Sequence, residues 1–104
     1  MESYNGYTNH LTWLIHLHLT NDFEFYNDLI NAYKVSDIEK DDSIGKAKLV
    51  SDYLMNLLED YFYYDETEHD ELNNLIYDII CSAILDVDFI QIANNIFDGI
   101  EKIN

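Results

Sequence analysis

Apolar residues return every three or four positions along almost the whole chain, and no proline interrupts them. That period gives an α-helix one apolar stripe, whereas a half-buried strand would alternate every two residues. Five amphipathic segments result. The first starts at Thr8, a candidate N-cap, carries Leu11, Leu14, Ile15 and His18 on one face, and is widened by Trp13 and Leu17. Asn21 can end it and cap the next. The second, DFEFYNDLINAYK, sets Phe23, Tyr26, Leu29, Ile30 and Tyr33 opposite Glu24 and Asp28, with Lys34 suiting its negative C-terminal end.

The segment VSDIEKDDSIG reads as the one real loop, with Ser43 as cap for the third helix. From Ile44 to about Tyr64 runs this longest helix, with Ala47, Val50, Leu54, Leu57, Leu58 and Tyr61 inward and Asp52, Asn56, Glu59, Asp60 and Tyr63 opposite. DETEHDE then turns the chain, with Thr67 capping a fourth helix whose broad inward face is Leu72, Leu75, Ile76, Ile79, Ile80, Ala83 and Ile84. Asp86 is a cap candidate for the last helix, which turns Ile92, Ala93, Ile96, Phe97 and Ile100 inward. Strand-like alternation in DVDFIQIAN competes there but has no partner strand. A chain of 104 residues can close one core, so the expectation is a single all-α domain over 1–104, a compact bundle-like or orthogonal arrangement of about five helices.

Charge narrows the function classes. A formal −16 on so small a folded body costs self-repulsion, and a composition rich in aliphatic and aromatic residues with three glycines argues against disorder as its explanation. All five basic residues are lysines, and none falls between Leu49 and Glu101. Direct nucleic-acid binding and anionic membrane surfaces both need clustered Lys or Arg, so neither is expected. The single Cys81, in LIYDIICSAIL, reads as a buried thiol of a reduced intracellular protein. MESYNGYTNH lacks a signal peptide's basic and apolar regions, which predicts a cytoplasmic protein.

Catalytic signatures are missing. His10, His16, His18 and His69 do not pair at the three- or four-residue spacing that puts two ligands on one helical face, so no metal or other cofactor is expected. DIEKDD and DETEHDE lack the alternating acids and central glycine of a calcium loop. There is no phosphate-binding glycine loop, no GxSxG, no CxxC and no arginine clamp for phosphoryl chemistry. Catalytic residues are therefore not assigned, and the chain is expected not to be an enzyme.

The carboxylates suggest another role. Side chains three or four apart on a helix lie roughly 5–6 Å from each other, similar to neighbouring phosphates, so an acidic helix pair can imitate a nucleic-acid backbone. The expected partner-binding surface is Asp52, Glu59, Asp60, Tyr63, Asp65, Glu66, Glu68, Asp70, Glu71 and Asp78. Tyr61, Tyr64 and Tyr77 stand beside these acids and suit an interface in which aromatics anchor and charge steers.

The stretch YNGYTNHLTWLIHLHLTND resembles the N-terminal signature of a family of small, largely uncharacterised proteins of phages and other mobile elements. Tyr4, Asn5, Gly6, Tyr7, Thr8, Asn9, Thr12, Trp13, Asn21 and Asp22 match it, while Leu11 replaces a usual acid and His18 a usual aromatic. The match covers about a fifth of the chain. Together with the charge, it leads to the expectation of an acidic inhibitor, acting in the host cytoplasm on a defence protein with a basic nucleic-acid channel, such as a CRISPR effector or restriction enzyme. The competing expectation is a helical interaction module, a homodimer, whose apolar faces form the interface.

Overall fold

The computed structural model describes residues 4–64 and 70–102. Five helices follow one another: α1 (His10–Asn21), α2 (Phe23–Val35), α3 (Ser43–Tyr64), α4 (Asp70–Ile84) and α5 (Phe89–Phe97). The domain is all-α, as the apolar period requires, and among the described residues the β pairing is limited to an isolated bridge between Tyr4 and Tyr7. The stretch DVDFIQIAN is helical from Phe89, because Ile92, Ala93, Ile96 and Phe97 share a helical face that is fully buried.

Helix α5 is short but central. Its buried face meets Leu19 of α1, Leu29, Ile30 and Tyr33 of α2 and Val50 of α3, with Val87 closing the corner. The Tyr33 and Phe97 rings stack at 4.4 Å between centroids. Nine residues would not hold a helix in water alone, so α5 exists because the other elements enclose it.

A polar clip fastens the N-terminus to the start of α5. Asn5 and Gly6 both take positive φ, giving a two-residue turn whose Tyr4 and Tyr7 exchange backbone hydrogen bonds of 2.8 Å. Gly6 at φ +86 adopts a conformation that larger side chains resist. Asn9, rather than Thr8, caps α1: its carbonyl accepts from the Thr12 N–H at 2.8 Å, while its amide donates to the Asp86 carbonyl at 2.8 Å. Thr8 is drawn across to α5, its hydroxyl donating to Asp88 and its N–H to Gln91 Oε1 at 2.8 Å. Gln91 in turn donates to the Gly6 carbonyl at 3.0 Å. The hydroxyl of Thr12, fully buried, donates to Asn9 and accepts from the Asp88 N–H at 2.9 Å. Asp88 uses its other carboxylate oxygen to cap α5, a role expected of Asp86.

Two further caps shift by a residue. Asp22, not Asn21, accepts from the Phe25 N–H at 2.9 Å and starts α2 while ending α1. Ser43 is already helical, and Asp42 accepts from the Gly45 N–H at 2.9 Å. A Cβ on Gly45 would collide with that same carboxylate, which makes glycine the residue that fits there. The cap expected at Thr67 lies outside the described residues.

Several side chains expected inward face solvent. Phe23 comes directly after the Asp22 cap and is 81% exposed, and His18 points away from the core beside Leu19, which takes the buried position. Cys81 is half-buried, short of the full burial expected for its thiol. Tyr61 is 74% exposed, and Leu72, Leu75, Ile76 and Ile79 of α4 are exposed as well. The common cause in α3 and α4 is geometric: among the described residues, none after Tyr53 and before Val87 belongs to the buried core cluster or packs against it. The Cα radius of gyration is accordingly 14.9 Å, against about 13 Å for a 100-residue sphere-like domain.

Unfolding in urea should separate the two regions. Ile92→Ala, at a fully buried position, is expected to cost about 2–5 kcal/mol, whereas Ile79→Gln should change stability by about 0.5 kcal/mol or less. Thr12→Val, which orphans the Asp88 N–H, should cost about 1–3 kcal/mol.

Candidate protein-interaction surface

Helix α3 has 22 residues and a length of about 33 Å. Its first half, through Ala47, Val50 and Tyr53, packs on the core, while its second half continues beyond it without a break. Among the described residues α4 packs against α3 alone of the four other helices. The two together form an arm. Phe62 of α3 meets Tyr77 of α4 edge-on at 5.4 Å, and Tyr61 packs on Phe62 at 5.1 Å.

One partner cannot cover the whole circumference of α4. Tyr77, Ile80, Cys81 and Ile84 are half-buried, and Leu72, Leu75 and Ile79 on the other side are 56–60% exposed, with Ile76 beside them. These four recur at i, i+3, i+4 and i+7, which makes a continuous strip two helical turns long. Successive residues rotate by 100°, so Glu71 and Asp78 lie within about 20° of one another and directly beside Leu75. Both acids are exposed. An apolar strip therefore runs along an acidic one.

On α3 the acids Asp52, Glu59 and Asp60 are exposed on one side of the helix, with Asn56 between them. Asp52 pairs with Lys48 at 3.0 Å, four residues earlier, and so carries less free negative charge than the others. Tyr63 lies in the last turn of α3 and Asp70 opens α4. Asp65, Glu66 and Glu68 lie outside the described residues. Of the expected surface, Glu59 and Asp60 on the distal half of α3 and Glu71 and Asp78 on α4 are thus exposed on one arm, and Asp52 is exposed on the half of α3 that packs on the core. The apolar strip beside them was missed because its residues were assigned to the core. The signal was nonetheless available: Leu72 to Ile84 holds apolar residues on more than half of the helix circumference.

Basic charge is held elsewhere. The Lys46 amine is buried, donates to the Lys40 carbonyl at 2.8 Å and lies 3.5 Å from Asp98. Lys102 donates to the Ile38 carbonyl and sits over the Tyr33 ring. These two lysines fasten the α2–α3 loop and the C-terminal segment onto the body and contribute nothing basic to the arm.

His10 and His16 have structural surroundings, and His18 is exposed. His10 stacks on Trp13 and Tyr4, and His16 Nδ1 is 2.9 Å from the Tyr7 hydroxyl. His69 lies outside the described residues. Among the described residues no three His, Cys, Asp or Glu side chains converge as metal ligands would. An open groove lined by Asp37, Glu39, Lys40, Glu101 and Lys102 is mixed in charge, and its Lys102 amine is engaged by the Ile38 carbonyl. At the α2–α3 contact the Tyr53 hydroxyl donates to Asp28 at 3.0 Å, and burial together with that carboxylate raises its pKa above the usual phenol range. No described helix is long and apolar enough to cross a membrane.

Burial lowers the pKa of His16 below its ordinary 6.5. The unfolded chain therefore binds this proton more readily than the folded one, and His16 makes stability rise with pH across the window just below 6.5. Above that window both states are neutral and the contribution is constant. Denaturant titrations are expected to show stability falling as pH drops through it, with a shallower slope in His16→Gln. An equal slope in that variant would assign the dependence to other groups.

Comparison of the chain with family models, with curated proteins and with solved structures found no match.

Proposed function

We propose that this protein is a non-enzymatic acidic inhibitor, carried by a phage or other mobile element, that occludes the basic nucleic-acid-binding surface of a host defence nucleoprotein. The observation that carries this reading is the arm: exposed acids on two adjoining helices, in a part of the chain with no Lys or Arg from Leu49 to Glu101. Helical carboxylates roughly 5–6 Å apart can stand in for phosphates, and a rigid helix presents them without the flexibility of a nucleic-acid strand. Opposite charge would steer the encounter and make association fast and salt-sensitive. The partner is a protein, a CRISPR effector or restriction enzyme being the expected kind, with neither nucleic acid nor a membrane bound directly. The site of action is the host cytoplasm.

A second reading is favoured by the exposed Leu72, Leu75 and Ile79. Here the protein is a helical interaction module that assembles with itself through apolar faces, without mimicry of nucleic acid. Its association would be indifferent to salt.

The test is capture from host lysate at low and high salt, with DNA or RNA as competitor. The inhibitor reading expects a nucleic-acid-binding defence protein, released by salt and by competitor. Reversal of Glu59, Asp60, Glu71 and Asp78 to lysine should abolish capture while far-UV circular dichroism stays unchanged. Undiminished capture by the reversed protein would end the mimicry reading.

A further inference from the structure

We infer that the exposed strip Leu72, Leu75, Ile76 and Ile79 anchors a hetero-interface, and that its partner presents an apolar ridge flanked by lysine or arginine. The inference rests on the acidic-inhibitor reading and names the chemistry of the surface that reading requires. The strip is two helical turns long, about 11 Å along the axis. Stable interfaces bury about 800 Å² on each side, so an interface centred on the strip must extend onto the ground around it.

That ground is acidic. Glu71 and Asp78, both exposed, border the strip on α4 itself. A second copy of the chain would meet it through the same patch, bringing an acidic border to both sides with no Lys or Arg between Leu49 and Glu101 to offset it. A basic-rimmed partner places opposite charge over the same ground. The apolar centre then supplies affinity, and the acidic rim supplies orientation and on-rate.

The probes are three synthetic peptides, titrated against the full chain by fluorescence anisotropy. One is an amphipathic helix with a leucine face flanked by lysines, one its glutamate-flanked counterpart, and one an oligolysine of equal charge. The leucine–lysine helix should bind at least tenfold tighter than either control. Leu75→Gln and Ile79→Gln, which keep a good helix former in place, should each weaken it by about tenfold. Leu72→Gln, at a separate turn, provides an independent variant should either of these disturb the arm.

Oligolysine binding as tightly, unmoved by the glutamine variants, overturns the apolar anchor and leaves the acidic reading standing. Equal binding of the glutamate-flanked helix overturns both, since charge would then play no part. Sedimentation of the unliganded protein as a dimer that Ile79→Gln dissociates assigns the strip to a second copy and also overturns the proposal.

Discussion

The fold depends on a hydrogen-bonded knot between residues that are almost the full chain apart. Asn9 and Thr12 engage Asp86 and Asp88, and Thr8 and Gly6 engage Asp88 and Gln91. Closing so long a loop is entropically costly, although the cost grows only slowly with its length. The knot offsets it by satisfying several groups at once. Thr12 is fully buried, yet its hydroxyl both donates and accepts, so the site carries no desolvated orphan. With the first helix held against the corner before α5, the remaining helices can close over the apolar face of that short helix.

This knot also explains why the residues of the YNGYTN stretch occur together. The Asn-Gly pair makes the reverse turn, Tyr4 packs on His10 and Trp13, and the Thr and Asn side chains reach across to α5. Each has a structural task on the side of the molecule that the core occupies. Glu59, Asp60, Glu71 and Asp78 and the exposed Leu72, Leu75 and Ile79 lie apart from this network, on the arm. The residues that hold the fold together are thus gathered in the body.

How much a sequence discloses depends on which forces are local. Helical period is local, so the five elements, the buried face of α5 and the half-buried Tyr26 were readable from spacing. Caps were displaced by one or two residues because the choice between Thr8 and Asn9, or Asp86 and Asp88, is made by partners about 80 residues away. The face of α4 was misassigned for a related reason. An apolar stripe states that burial would be favourable, but whether a neighbour exists to provide it depends on tertiary arrangement. In α3 the apolar pattern continues past Tyr53 while the core does not. Asp52, Glu59, Asp60, Glu71 and Asp78 are exposed, as the helical pattern implies, because exposed charge needs no partner to be exposed.

The point at which α3 leaves the core has an evolutionary consequence. A protein close to its stability threshold loses most substitutions to unfolding before their effect on binding can matter. Here the exposed positions of α4 and of the distal half of α3 lie outside the packing that holds the body together. Substitutions there carry little penalty in folding, so the surface of the arm can vary while the knot and α5 stay constant.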